Sequence, residues 1–182
     1  MSSTLVSDWF GEAFNELHPL LQTLHQNGGK LSGLIDIYIP VGLRSMLGRK
    51  LANKLGIPCT GRIHQLTVTI SHQQDGLHWD RCFDNQMVMK SLFIPIGRNP
   101  NGYWLEKTGL TELCLTVDIH QGGWYWRCTK VKIFGISVPL WLVPQTTAYK
   151  TIESGHYRFY VGFSLPLVGT ILSYDGLLSP TI

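Results

Sequence analysis

The stretch T-E-L-C-L-T-V-D-I-H-Q-G-G-W-Y-W-R-C-T-K-V-K-I-F, Thr111 to Phe134, decides the fold. Its first half alternates: Leu113, Leu115, Val117 and Ile119 share one face, and Glu112, Cys114, Thr116, Asp118 and His120 the other. A period of two is a strand whose faces see different surroundings. Gly122 and Gly123 then supply the backbone freedom of a tight reversal. Trp124 to Phe134 is rich in aromatic and β-branched residues and reads as the returning strand. In that second strand Trp124, Trp126 and Cys128 share parity with Lys130 and Lys132. The expected arrangement puts its aromatic end over a core and its basic end at an opening.

The same period continues on both sides of the hairpin. Strands are predicted at about 62–73, 77–84, 86–96, 102–108, 111–120, 123–134, 146–154, 156–166 and 169–177. Asp75-Gly76, Asp84-Asn85, Asn99 to Gly102, Gly155 and Gly169 separate them as turn signals. Turns this short leave no room for helical crossovers, so pairing is expected to be antiparallel and largely sequential. Nine strands around a core of this size must curl strongly or close into a barrel.

The N-terminal third reads as helical. Ser7 or Asp8 is a candidate cap for a helix carrying Trp9, Phe10, Ala13, Phe14 and Leu17 on one face. Pro19 kinks or restarts it, and Asn27-Gly28-Gly29 stops it. Leu34 to Ile39 is a short β-like run. A second helix is predicted over Val41–Leu55, with Leu43, Met46, Leu47, Leu51 and Leu55 inward and Arg44, Arg49, Lys50 and Lys54 mostly outward. The expected whole is an α+β, mainly antiparallel single domain over 1–182. Two helices in 7–56 pack on a curved or barrel-like sheet in 62–178.

Composition bounds the function classes. The chain has 182 residues, 44% apolar and only 15% charged, which excludes disorder and allows one substantial core. A net charge of +3 is too small to imply nucleic acid. Its distribution is uneven, with five basic residues and no acid between Asp36 and Asp75. Four scattered cysteines, without a C-x-x-C pair, read as thiols rather than a disulfide framework. No signal pattern and no transmembrane segment is evident, so a cytoplasmic location is the default expectation.

Polar residues on apolar faces point to a site. Arg62, His64 and His72 share the face of Leu66, Val68 and Ile70. Arg81 lies with Trp79 and Phe83, and Glu106 with Trp104. A charge on an aromatic inner face is paired or meets a ligand, because leaving it alone costs several kcal/mol. Arg81 and Glu106 are therefore a buried ion pair, two rim residues, or an anchor for a carboxylate or phosphate head group in an aromatic cavity. No metal site is expected: His64 and His72, eight residues apart on one strand, are separated by about 26 Å. No nucleophile elbow, phosphate loop or dinucleotide fingerprint occurs, and no cofactor is implied. Tyr174 reads as a core tyrosine. The segment from Ile136 to Pro144, with Leu140, Trp141 and Leu142, is either a lid over the cavity or an exposed interface, for instance of a homodimer.

With these residues in place the chain resembles a bacterial family, domain of unknown function 4166, from Phe14 onward. The landmarks are G-I-P at 56–58 with Gly61, W-D-R-C-F at 79–83, E-K-T-G at 106–109, G-I-S-V-P-L at 135–140 and L-P-L-V-G-T-I-L-S-Y-D-G-L-L at 165–178. The resemblance carries over no activity. It implies a domain that often follows a saccharopine-dehydrogenase-like domain, hence an accessory role beside a dehydrogenase-like protein partner. The expected function is binding of a small amphipathic or anionic molecule against Trp79, Phe83, Trp104 and Trp126, with Arg81 and Glu106 as its charged groups. The alternatives are an interaction module and an enzyme using Glu106 or Asp175.

Overall fold

A computed structural model describes residues 4–181, so residues 1–3 and 182 of the expected domain lie outside the description. Thr4 caps helix α1 (Leu5–Phe10) through a reciprocal box with Ser7. The expected cap, Ser7 or Asp8, thus lies inside the helix: Thr4, three residues before Ser7, completes the pair. A 3-10 turn, Gly11–Glu16, follows, and α2 (Pro19–Asn27) restarts with proline at its first position. There the missing N–H costs nothing.

Eleven strands complete the chain with one further helix. They are β1 (Gly29–Tyr38), then α3 (Leu43–Leu55), β2 (Ile63–Gln73), β3 (Gly76–Phe83), β4 (Met87–Ile96), β5 (Tyr103–Thr108) and β6 (Thr111–His120). There follow β7 (Gly123–Ile133), β8 (Ile136–Val138), β9 (Gln145–Glu153), β10 (His156–Leu165) and β11 (Gly169–Thr181). Nine strands were predicted. The additions are β8, only three residues long, and β1, which extends the Leu34–Ile39 run back to Gly29. That front half, Gly-Lys-Leu-Ser-Gly, has little strand propensity. It pairs on both sides, with β2 and β11, and tertiary pairing overrides propensity.

All pairings are antiparallel, and the sheet closes. Its order runs β6-β5-β4-β3-β2-β1-β11-β10-β9-β7, and β7 pairs again with β6 to complete a ten-stranded barrel. One edge of β7 is divided: Trp124–Arg127 pairs with Thr147–Lys150 of β9, and Val131–Ile133 with β8. Its other edge carries a bulge at Thr129, where Leu115 faces Cys128 but Cys114 faces Lys130. The bulge switches parity. Trp124 and Trp126 point inward, and so do Val131 and Ile133, so Lys130 and Lys132 lose the shared parity with the tryptophans while staying at the open end of the strand.

One end of the barrel is plugged. Trp9, Phe10 and Phe14 of the N-terminal helices are buried against Trp104 and Trp124, with Phe10 and Trp124 ring centres 4.7 Å apart. Backbone bonds tie this plug to the barrel: Trp9 accepts from Asn99, and His18 donates to Gly122. The chain reversals after β3, β5, β7 and β10 lie at the other end.

Helix α3 lies across part of that open end, in an unexpected orientation. Its buried residues are Gly48 and Ala52, while Leu43 and Met46, expected inward, are 87% and 67% exposed. Leu47 is exposed too. The cause is Gly48, which without a side chain lets the helix backbone rest on the Ile171 carbonyl of β11. Any Cβ there would collide with that oxygen. Gly48→Val is expected to lower stability in chemical denaturation by roughly 1–3 kcal/mol. Leu43→Ser on the same helix should stay within about 0.5 kcal/mol. The reverse ranking would refute this seating of the helix.

Candidate functional site

Between plug and open end the barrel holds a cavity of about 210 Å³. Apolar side chains from nearly every strand form its wall, among them Leu66, Val68, Met89, Phe93, Leu115 and Phe159. Leu51, Lys54 and Leu55 of α3 and Val143 and Pro144 of the β8–β9 connection border it toward the open end. Trp79 and Trp126 line it, as do Arg81 and Glu106. Phe83 and Trp104 do not: both are fully buried, Phe83 against Tyr174 and Trp104 under the plug against Trp9 and Trp124.

Arg81 and Glu106 share the cavity without forming an ion pair. Arg81 Nη1 donates to Ser91 Oγ at 3.0 Å, Ser91 and Thr108 hydroxyls lie 2.7 Å apart, and Thr108 Oγ1 donates to Glu106 Oε1 at 3.2 Å. Because the Thr108 proton goes to Glu106, the Ser91 proton goes to Thr108. Every donor therefore points from the guanidinium toward the carboxylate. The relay uses one of the five N–H donors of Arg81. The residue is only 9% exposed, and among the described residues no carboxylate lies within ion-pair distance of it. The Tyr157 hydroxyl, also buried in this wall, has no hydrogen-bond partner among the described residues.

A second buried cation stands deeper, by the plug. Lys150 is 2% exposed, and its Nζ lies 2.6 Å from His25 Nε2. The ammonium sits 3.8 Å from the Trp79 ring centre and 3.9 Å from that of Trp124. Neither Lys150 nor His25 figured in the sequence reading. Lys150 shares strand parity with Ala148 and Ile152, and His25 lies one helical turn from Leu21, so face assignment could have found both.

Burial, then the Arg81 guanidinium, holds Lys150 well below the ordinary amine range, with Glu106 pulling the other way. The indole faces favour the ammonium by about 0.5–2 kcal/mol, less than the several kcal/mol that burying an ion costs. Burial also keeps His25 well below the usual imidazole range, reinforced by Lys150 and His72. His25 Nε2 can then accept from the amine. Burial raises the Tyr157 and Tyr174 phenols, while Arg81 opposes this at both.

The other sequence candidates fall elsewhere. Arg62 lies at the rim, paired with Asp36, and His64 is buried against Asp84 at 2.6 Å. His72 bonds the His25 carbonyl, and His78 pairs with Asp75 in the turn. Asp175 lies outside the barrel with Arg158 at 2.9 Å, away from the cavity that an enzyme reading would need. Tyr174 is a core residue, 1% exposed. The cysteines are free thiols. Leu140, Trp141 and Leu142 form an exposed 3-10 turn at the open end, with Trp141 69% exposed. No helix is long and apolar enough to cross a membrane among the described residues.

The family described as domain of unknown function (DUF4166) matches residues 17–178, most of the barrel and all of the cavity wall. No curated protein and no solved structure matches the chain.

Lys150 and His25 give stability a pH dependence of one sign. The unfolded chain takes up protons at Lys150 below about 10.5 and at His25 below about 6.5, and the folded chain resists both. Stability is therefore lost as pH falls through these values, by up to about 1.4 kcal/mol per unit for each group. Above about pH 9 the raised Cys128, Tyr157 and Tyr174 act oppositely. The melting temperature is expected to rise from pH 5.5 to 8.5, and Lys150→Met to flatten the part above pH 7. An undiminished slope in that variant would place its source elsewhere.

Proposed function

The chain belongs to the DUF4166 family, from which no activity carries over, and on the geometry of the barrel we propose that it binds a small amphipathic carboxylate. The observation that carries this reading is Arg81: a guanidinium buried in an apolar wall, with one hydroxyl partner and no counter-ion at ion-pair distance. A buried charge left so costs several kcal/mol unless something answers it. A ligand carboxylate would do so in the two-pronged geometry that a guanidinium favours. The unpartnered Tyr157 hydroxyl offers a further donor in the same cavity. The ligand tail would lie along Leu66, Val68, Met89, Phe93 and Trp126. Lys150 competes poorly for the head group, because its amine is already engaged by His25 and two indoles.

Glu106 refines the ligand class. Its negative charge, two hydroxyls away from Arg81, disfavours a dianionic head such as a phosphate monoester and suits a single carboxylate. The relay also fixes the guanidinium in place before the ligand arrives, which reduces the ordering cost of binding.

Decanoate and decanol, titrated against the fluorescence of the cavity tryptophans, separate head-group recognition from greasy partition. Decanoate is expected to bind at least tenfold more tightly, a difference of about 1.4 kcal/mol. Arg81→Met should erase that preference while leaving the melting temperature unchanged or higher. Equal affinities for the two probes, or an Arg81→Met variant that binds decanoate normally, would refute the assignment.

A further inference from the structure

Most of the strongly exposed large apolar residues are gathered at one end of the barrel, Leu34 on the outer face of β1 being an exception. Leu43 and Met46 on α3, Leu110 and Phe134 at turns, Trp141, and Leu167 all stand at the open end, each at least 60% exposed. They come from segments far apart in sequence, so the shared location is a property of the fold. Single exposed apolar residues need no explanation, whereas a ring of them around the mouth of an apolar cavity does.

Charge divides the molecule along the same axis. Helix α3 carries Arg44, Arg49, Lys50 and Lys54 without one acid, and Lys130 and Lys132 flank the mouth on β7. The acids at that end are each engaged: Glu112 is within 4 Å of both Lys107 and Lys132, Asp36 pairs with Arg62, and Asp84 with His64. At the plugged end Glu12 and Glu16 on the 3-10 turn, Asp75 in the β2–β3 turn and Glu153 at the end of β9 outnumber the basic Lys30 and Arg98.

We propose that the open end docks on an anionic lipid bilayer, with α3 and the Leu140–Leu142 turn seated at the headgroup boundary. Leu and Met beside Lys and Arg on one exposed helix are the composition of an interfacial helix, and Trp141 adds an aromatic anchor of the kind found at headgroup level. Charge complementarity selects this occupant. A second copy docked face to face would set the basic ring against itself. A bilayer also supplies the depth over which several separate apolar tips can be covered at once. The docking goes beyond the carboxylate reading and does not use Arg81.

Flotation with vesicles tests it. The chain is expected to float with phosphatidylcholine vesicles that contain phosphatidylglycerol, and to stay behind with pure phosphatidylcholine or at high salt. Each basic residue near the surface contributes about a fivefold factor in affinity. Arg44→Glu with Lys50→Glu should therefore reduce binding at least tenfold. Lys30→Glu with Arg98→Glu, the same change in charge at the plugged end, should bind like wild type. Trp141→Ser with Leu142→Ser should weaken binding even at low salt. Arg81→Met should float normally, so failure of the carboxylate assignment and failure of docking are separable. Three results would overturn the proposal: no flotation, equal loss in both charge variants, or a dimer in light scattering that the Trp141→Ser, Leu142→Ser pair dissolves.

Discussion

The structure depends on the short ladder in which Trp124–Arg127 of β7 meets Thr147–Lys150 of β9. Every other neighbour pair in the barrel is joined by a turn, or, for β1 and β2, by the excursion through α3, except here and between β1 and β11. Sequential hairpins alone would leave open edges, which are prone to pairing with other chains. The closing register also pairs Trp124 with Lys150 across the seam. Closure of the sheet and entry of the lysine into its tryptophan box are thus a single event. The plug completes it, because α2 brings His25 to the amine and α1 brings Phe10 to the other face of the cluster.

The barrel interior consequently holds two cations of different character. Lys150 is pushed toward its neutral form: burial lowers its proton affinity, an imidazole takes its hydrogen bond, and two indoles occupy its flanks. Arg81 cannot escape in the same way, since a guanidinium does not lose its proton in a protein. It remains charged beside an apolar hollow, held by a relay of hydroxyls. A structural role alone would be met by a direct bond to Glu106, and the intervening Ser91 and Thr108 keep that bond from forming. The difference between the two groups is why the proposed binding is assigned to Arg81 and the expected pH-dependent stability to Lys150.

Much of this was legible in the chain because antiparallel strands announce themselves by parity. The nine predicted strands fall on nine of the observed ones with small shifts at their ends, and the placement of Arg81 and Glu106 on inner faces came from the same alternation. Parity fails where the backbone breaks it. The bulge at Thr129 breaks the parity of Lys130 and Lys132 with Trp124 and Trp126, and no residue type marks that position as a bulge. On α3, a moment argument favours its leucines as the buried face. That holds for Leu51 and Leu55, which pack against the core, whereas close backbone approach at Gly48 leaves Leu43, Met46 and Leu47 exposed. Lys150 was passed over for a chemical reason: a lysine in an exposed-looking strand is ordinarily solvated, and only closure with β7 reveals what encloses it.

The same seating of α3 determines where the cavity is reached. The plugged end is closed by interlocked aromatic rings, and truncating one such ring costs about 3–5 kcal/mol. The barrel wall is hydrogen-bonded all round, and its ladder is interrupted at the β7–β9 seam, where β8 replaces β9 beside Val131–Ile133. Helix α3 is held differently: the residues it buries are a glycine and an alanine, and its large apolar side chains mostly face outward. Shifting it uncovers chiefly Leu51 and Leu55, fewer large apolar side chains than opening the plugged end would uncover. Under the proposed function, passage would run past α3 and the Leu140–Leu142 turn, on the side where Leu51, Lys54, Val143 and Pro144 border the cavity. The exposed apolar and basic residues lie along that one route.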